Sequence, residues 1–524
     1  MASFRYLLPV ALVLAGSASA QLPDDVLRYG FPLAGGTARS QAIGGAIGAL
    51  GGDITSSYVN PAGLGMYKNN EFVMSPNFSF LRNKFDYRGS NSSARDNGAG
   101  YGTTGFVFGN PSSHRRNHSS AFAISINQLA NFNNSIQYRG FNNTSSWSEQ
   151  YVEELVRNRA TVPQAENNFI FGSSLAFWTF LVDTIANAQG QVIGYQSVVP
   201  LPSGPGGTEG VNQINRINTS GGAHEVSLGY GTNNNDKFHF GFSFNIPFYT
   251  YRREQTYREE DASGNPNNDF AYFEYRERYR TTGVGFNGKL GIIARPTTRL
   301  RLGLALHTPT FANLNDQISS SIEANTEGFT IFPQPQIKTS DELKGNNSNA
   351  GNYKYNIVTP WRMLGSVAFV INEVKEIKQQ KGFVSADIEY VNYRSTRYRA
   401  DDPTLVDDVA YYNQLNETIK SRYRGAFNFR VGGELKFKTV MARLGFAHLG
   451  SPFSREFRDL RGNRTLLSGG LGYRNRGMFI DLTYVHAIIR QNEVPYWLQD
   501  KANPIADGRN SRGNVVLTLG FKLM

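Results

Sequence analysis

At 524 residues the chain is long enough for several soluble domains, but its 54 glycines, 36 phenylalanines and 27 tyrosines are unusual for them. It has no cysteine, which excludes a disulfide framework, a thiolate metal site and a lipidation cysteine. The net charge of +11 is spread along the chain rather than clustered, so solvated loops facing anionic lipid or polysaccharide are favoured over nucleic acid as its cause.

The first twenty residues read as a secretory signal peptide. Arg5 supplies the positive start, Tyr6 to Gly16 is an apolar run broken only by Pro9, and Ala18-Ser19-Ala20 is a small-residue cleavage site. The mature chain is expected to begin at Gln21. No later stretch approaches the roughly 18 uninterrupted apolar residues of a membrane helix. Residues 21–70 then carry small residues at Gly44, Gly45, Ala46 and Gly48, an acid at Asp53, and the run Asn60-Pro61-Ala62-Gly63-Leu64. Asn60 can cap a turn, Pro61 fixes the backbone, and the glycines permit a compact path.

From Glu71 onward the dominant period is two. Leu300, Leu302, Leu304 and Leu306 alternate with Arg301, Gly303, Ala305 and His307, and Phe427, Phe429 and Val431 alternate with Asn428, Arg430 and Gly432. Fourteen strands are expected, near 71–85, 100–110, 119–141, 222–232, 237–258, 270–294, 299–324, 353–371, 382–399, 422–437, 440–450, 465–474, 478–490 and 513–524. Their connections alternate between long and short. The long ones are 86–99, 142–221, 259–269, 325–352, 400–421, 451–464 and 491–512, whereas Lys438-Thr439 and Asn475-Arg476 are tight turns. A soluble sandwich has no reason to sort its loops this way. An outer-membrane antiparallel β-barrel does, with long loops outside, short turns inside and both termini in the periplasm.

Alternation places Lys289, Arg301, Asp387, Glu389, Arg430, Glu434 and Asp481 in the lumen, either as ion-pair braces or as ligand contacts. Tyr249, Tyr251, Tyr272, Tyr275, Tyr279, Trp361, Tyr390, Tyr393, Tyr473 and Tyr484 are expected in interfacial girdles. The chain ends in Met524 rather than an aromatic residue, with Phe521 the nearest. Gly283 to Gly288 matches GxGxxG but lies inside a period-two strand, where no helix follows to hold a pyrophosphate. The seven histidines are dispersed, with His114 and His118 in a polar turn, and no GxSxG elbow is present, so neither metal, cofactor nor enzyme activity is expected. In the longest loop, Ser146 to Glu149 reads as a capping box for a helix carrying Tyr151, Val152 and Leu155. Phe177, Trp178, Phe180, Leu181 and Ile185 form a second apolar segment that either packs locally or offers a greasy capture surface.

The stretch ARSQAIGGAIGALGGDITSSYVNPAGLGMY resembles the N-terminal plug of the FadL/TodX family of outer-membrane hydrophobic-compound transport proteins, and GIIARPTTRLRLGLALHTPT resembles that family's mid-barrel hairpin. The resemblance implies a 14-stranded monomeric barrel over 71–524. Its lumen would hold a hatch formed by 21–70, with Gly44, Gly45, Asp53, Asn60, Pro61, Ala62 and Gly63 at the gate. It implies passive uptake of hydrophobic small molecules such as long-chain fatty acids across a bacterial outer membrane. The alternative within the same family is a shuttle or adaptor for protein secretion, with a protein partner in place of a lipid.

Overall fold

The computed structural model describes residues 25–30, 35–112, 117–201, 209–345, 350–371, 381–460 and 462–523. The expected signal peptide and its cleavage site, His114 and Met524 lie outside them. Fourteen antiparallel strands follow one another around a closed sheet. They are β1 (70–87), β2 (90–111), β3 (119–142), β4 (Val211–Asn234), β5 (Phe238–Asp261), β6 (Tyr272–Ala294) and β7 (300–325). The second half comprises β8 (352–371), β9 (382–400), β10 (Gly425–Phe437), β11 (Val440–Leu449), β12 (Arg464–Asn475), β13 (Met478–Glu493) and β14 (Ala506–Leu523). Each pairs with the next, and β14 returns to β1 through Asn70↔Leu523 and Asn77↔Val516, which removes the edge that an open sheet would expose.

The alternation in sequence becomes an inside and an outside. On β5, Phe240, Phe242 and Phe244 face outward while His239, Ser243 and Asn245 are buried. The same division holds on β10, where Phe427, Phe429 and Val431 face outward and Asn428 is buried. Outward apolar residues recur on strand after strand, giving the barrel a hydrophobic belt of the kind lipid requires. The connections sort as expected, with the tight turns 438–439 and 476–477 at one end and the helical loops at the other.

Three strands start earlier than their hydrophobic pattern implies. β2 begins at Ser90, β4 at Val211 and β14 at Ala506, so the loop expected over 86–99 is only the turn at Arg88-Gly89. These added stretches rise beyond the belt, where neither face meets hydrocarbon and apolar alternation has no cause. The aromatic girdle also needs correction. Tyr249, Tyr251, Tyr275 and Tyr279 are buried because their strand parity turns them inward, and Tyr393 is buried in the short helix Tyr393–Ser395; Tyr473 and Tyr484 do face out.

One interruption of the wall lies beside the N-terminal segment, where Gly102 meets Gly36. β1 breaks at Ser75, β2 at Gly102 and β3 at 132–133, after a register shift between Gln128 and Ala130. Past the break, residues 134–142 keep their ladder to β4, but among the described residues no ladder joins them to 90–101 of β2. They bend inward across the β1–β2 hairpin instead, so that Tyr138 packs on Phe85 and Tyr87 with ring centroids 5.8 and 5.1 Å away. Asn83 donates to Asn134 Oδ1 (2.6 Å), and Arg512 donates to the carbonyls of Asn131 (3.1 Å) and Asn133 (2.6 Å), which fixes the bend.

Candidate functional site

The N-terminal segment lies inside the barrel, bonded to inward faces all around its circumference. Its backbone at Ala38 donates to Thr518 of β14 (2.7 Å) and accepts from Thr483 of β13 (2.7 Å). The carbonyl of Ala42 accepts from Ser468 of β12 (3.0 Å), and Gly48 N donates to Asp387 of β9 (3.1 Å). Arg301 of β7 donates to the Leu50 carbonyl (2.6 Å), and on the opposite wall Ser57 and Ser125 of β3 join through hydroxyls 2.9 Å apart. Polar backbone inside a barrel must find such partners, and these strands supply them with short side chains.

Glycines on both partners allow the approach. Gly44 and Gly45 have φ of 68° and 80°, conformations in which any other residue is strained. On the wall, a Cβ at Gly303 would lie 2.6 Å from the Gly48 carbonyl oxygen, and one at Gly231 would lie 2.6 Å from Gly65 N. Gly291 leaves room for the Asn60 side chain in the same way. Asn60 donates to the Gly48 carbonyl (2.7 Å) and accepts from Ala62 N (3.2 Å), capping the short helix Pro61–Met66. Asp53 organises the turn beside it by accepting from Thr37 Oγ1 and Thr55 N, each 2.9 Å away. Pro61, Ala62 and Gly63 are buried in that helix, so all seven gate residues expected from sequence lie in one packed segment.

The seven lumen charges also face inward, each onto a protein partner. Lys289 pairs with Glu225, Arg430 with Glu389 (2.7 Å), and Arg443 is clamped between Glu434 and Asp481 at 2.6 Å to each. Arg39 of the N-terminal segment approaches Glu434 at 3.5 Å. Asp387 and Arg301, as described above, hold the segment's backbone. The charges therefore brace the wall or fasten the segment to it. Sequence reasoning missed Arg39, Glu225 and Arg443, although the same parity points the last two inward.

Above the segment, a cavity of about 570 Å³ opens toward the loops. Its apolar wall includes Leu81, Phe132, Ile136, Trp147, Phe453 and Ile489. Among these stand six arginines (28, 253, 422, 464, 490 and 512) against two carboxylates, Glu277 and Glu493. A smaller cavity of about 70 Å³ lies where β2 and β3 separate, lined by Gly35 and Gln41 of the segment together with Asn77, Gly102 and Gln128.

Two loop clusters narrow the mouth. In the first, Trp147 packs on Tyr257 with centroids 4.2 Å apart, and Glu149 accepts from Ser146 N (2.9 Å) to start the helix Ser148–Arg157, as half of the expected capping box. Beneath it Glu259, well beyond the last outward apolar residue of β5, is fully enclosed. It accepts from Ser146 Oγ, Trp147 N, Gln213 Nε2 and Tyr257 OH. Burial pushes its carboxyl up to about 7, against the opposing pull of these donors. In the second cluster the helix Val406–Arg422 tucks Tyr412, Leu415 and Ile419 into the barrel core.

The apolar segment of the long loop is not one helix. Ser173–Trp178 is helical, whereas Val182–Ala186 is a strand paired with Val192–Ser197. Leu181 is buried and offers no surface; Phe177 is half-buried against Tyr195. Phe180 stacks on Phe332 at 5.6 Å, while Trp178 and Ile185 are exposed.

No protein-family model and no curated protein sequence matches the chain. Its structure matches a FadL homologue of Pseudomonas aeruginosa with a TM-score of 0.53 at 14% identity, covering 94% of this chain and 100% of that one. It matches the Pseudomonas putida toluene transporter TodX with a TM-score of 0.51 at 11% identity, covering 94% and 99%. A deltaS2 mutant of the TodX monoaromatic hydrocarbon channel gives 0.53 at 11% identity, covering 94% and 100%. At such identities it is the architecture that is shared, and this chain has the barrel fold of the FadL and TodX proteins.

Proposed function

We propose that this chain is an outer-membrane channel for passive uptake of hydrophobic small molecules, gated by its N-terminal segment acting as a hatch. The observation that carries the reading is the large cavity, lined by apolar and polar side chains in similar measure, that ends on the N-terminal segment at Leu27 and Arg28. The hydrogen bonds that hold this segment to the wall can exchange with water one at a time, and beside them Ile43, Ile47 and Leu50 pack on Ala368, Val370 and Phe383. The six arginines lining the cavity favour an amphiphile with an anionic head, such as a long-chain fatty acid, over a neutral hydrocarbon. The small cavity where β2 and β3 part supports lateral release into the membrane, since it lies beside the hatch at the level of the belt.

The exposed Trp178 and the half-buried Phe177 and Phe180 form the candidate capture surface outside this path. A secretion adaptor is the second reading, favoured by Ile331, 98% exposed next to Phe332 on a neighbouring loop. Purified protein in liposomes tests the choice. The channel reading expects oleate to enter without an energy source while a small sugar stays out. A barrel that passes neither, and that brings down a stoichiometric protein partner from outer membranes, would replace it with the adaptor.

A further inference from the structure

The outer surface of β4, β5, β6 and β7 continues beyond the lipid belt and changes character in regular steps. The last apolar row holds Phe248 opposite Val284, both exposed. Next comes a hydroxyl row, Thr250 opposite Thr282. Beyond it Arg252 lies directly opposite Arg280, flanked by Ser220 on β4 and Gln317 on β7, with no carboxylate in the row. The following row is Asn218, Glu254, Arg278 and Ser319, and the one after it Arg216, Thr256, Arg276 and Ser321. Arg216, Arg252, Arg276, Arg278 and Arg280 are all exposed. These three rows therefore carry five arginines and one carboxylate.

Like charges directly opposite each other on a sheet repel, so the Arg252–Arg280 pair needs an anion to be favourable. Arg276 of the outermost of these rows meets Glu274 (2.5 Å), and farther out Arg258 meets Glu260 (2.6 Å). Two rows along a strand span about 14 Å, less once strand tilt is included, which sets the arginine pair at headgroup height above the belt. Guanidinium groups fit phosphate oxygens in a two-pronged geometry, and the threonine hydroxyls beneath are further donors.

We infer that this face binds the phosphate-bearing headgroup of an outer-leaflet lipid, with Arg252, Arg278 and Arg280 holding the phosphate while the acyl chains lie along Phe248 and Val284. The inference rests on the outer-membrane placement proposed above but not on transport, because these side chains point away from the lumen.

Native mass spectrometry of the full-length barrel with diphosphoryl lipid A, with its dephosphorylated form and with inorganic phosphate tests it. The expected result is that wild type holds diphosphoryl lipid A at least tenfold more tightly than the Arg252→Gln/Arg278→Gln/Arg280→Gln variant. The dephosphorylated lipid should bind both equally, and the corresponding triple lysine variant should recover most of the affinity. Equal binding of diphosphoryl lipid A to wild type and the glutamine variant would overturn the site. Inorganic phosphate binding as tightly as the lipid would make it a free-anion site instead, against the inference. Should the glutamine variant fail to fold, the wild-type preference for the lipid with phosphates over the one without decides. A barrel that binds this lipid yet conducts nothing contradicts the transport reading alone.

Discussion

Asn60 of the N-terminal segment sits against Gly291 of β6, in a space that only the absence of a side chain provides. From there Asn60 bonds the Gly48 carbonyl and Ala62 N and reaches toward the Ile292 carbonyl at 3.4 Å. One side chain thus ties two turns of the segment together and to the wall. Gly291→Ala would drive a methyl group into this contact, and Asn60→Ala would leave the Gly48 carbonyl without its partner, at about 1–3 kcal/mol for a buried group. Both variants are expected to loosen the hatch, raising single-channel conductance in planar bilayers over wild type; unchanged conductance would show that this contact does not hold the gate.

Arg443 should be a pillar of the barrel rather than a ligand contact. Its side chain is completely buried between Glu434 and Asp481. Arg443→Met would strand Asp481 and leave Glu434 with Arg39 alone at 3.5 Å, and breaking a buried pair in this way costs about 3–5 kcal/mol. Unfolding in urea with the protein in detergent micelles should show a lower midpoint, with oleate affinity of the folded fraction unchanged.

The loop cluster around Trp147 should weaken as pH rises. Glu259 has a folded pKa of about 7, above its ordinary carboxyl value, so the folded cluster holds the proton more tightly than the open one. Its contribution is full below the ordinary carboxyl range and is lost as pH passes through about 7, an effect of a few kcal/mol in scale. Proteolysis of the 142–211 loop should therefore accelerate between pH 5 and 8. Glu259→Gln, which keeps a neutral group there, should flatten that dependence.

Capture outside the cavity should be separable from passage. Trp178 is exposed, with Lys338 over its ring at 5.0 Å, so Trp178→Asp should leave the fold intact. The expected effect is a several-fold higher half-saturating oleate concentration with little change in maximal uptake. Phe177→Asp, beside Tyr195, should act in the same direction with some loss of loop stability. If both variants take up oleate like wild type, this surface plays no part in capture.

The strand count and the inside–outside assignment were legible because lipid imposes a strict alternation, as in Leu300 to Leu306. Where lipid ends, the signal ends. Ser90 to Gly100 forms a strand with no apolar face, and nothing in its composition announces it. The inward tyrosines at 249, 251, 275 and 279 were misassigned because nearness to a strand end says nothing about face, whereas parity does. The pattern at Asn60 to Leu64 lies on a segment packed against the inner wall, but its partners lie far off in sequence at Gly231, Gly291 and Gly303. Those wall glycines become meaningful only once the fold places them against it. The inward bend at 132–133 depends on Arg512, from the other end of the chain, and no local pattern encodes it.

The central claim is that the N-terminal segment must move for a hydrophobic molecule to pass. The chain has no cysteine of its own, and Ser57 and Ser125 lie with hydroxyls 2.9 Å apart across the contact between segment and wall. A Ser57→Cys/Ser125→Cys variant in liposomes can be locked by oxidation and released by reduction, with oleate entry followed in both states. The account predicts that oxidation stops entry and reduction restores it; equal entry in the locked and released states would contradict it.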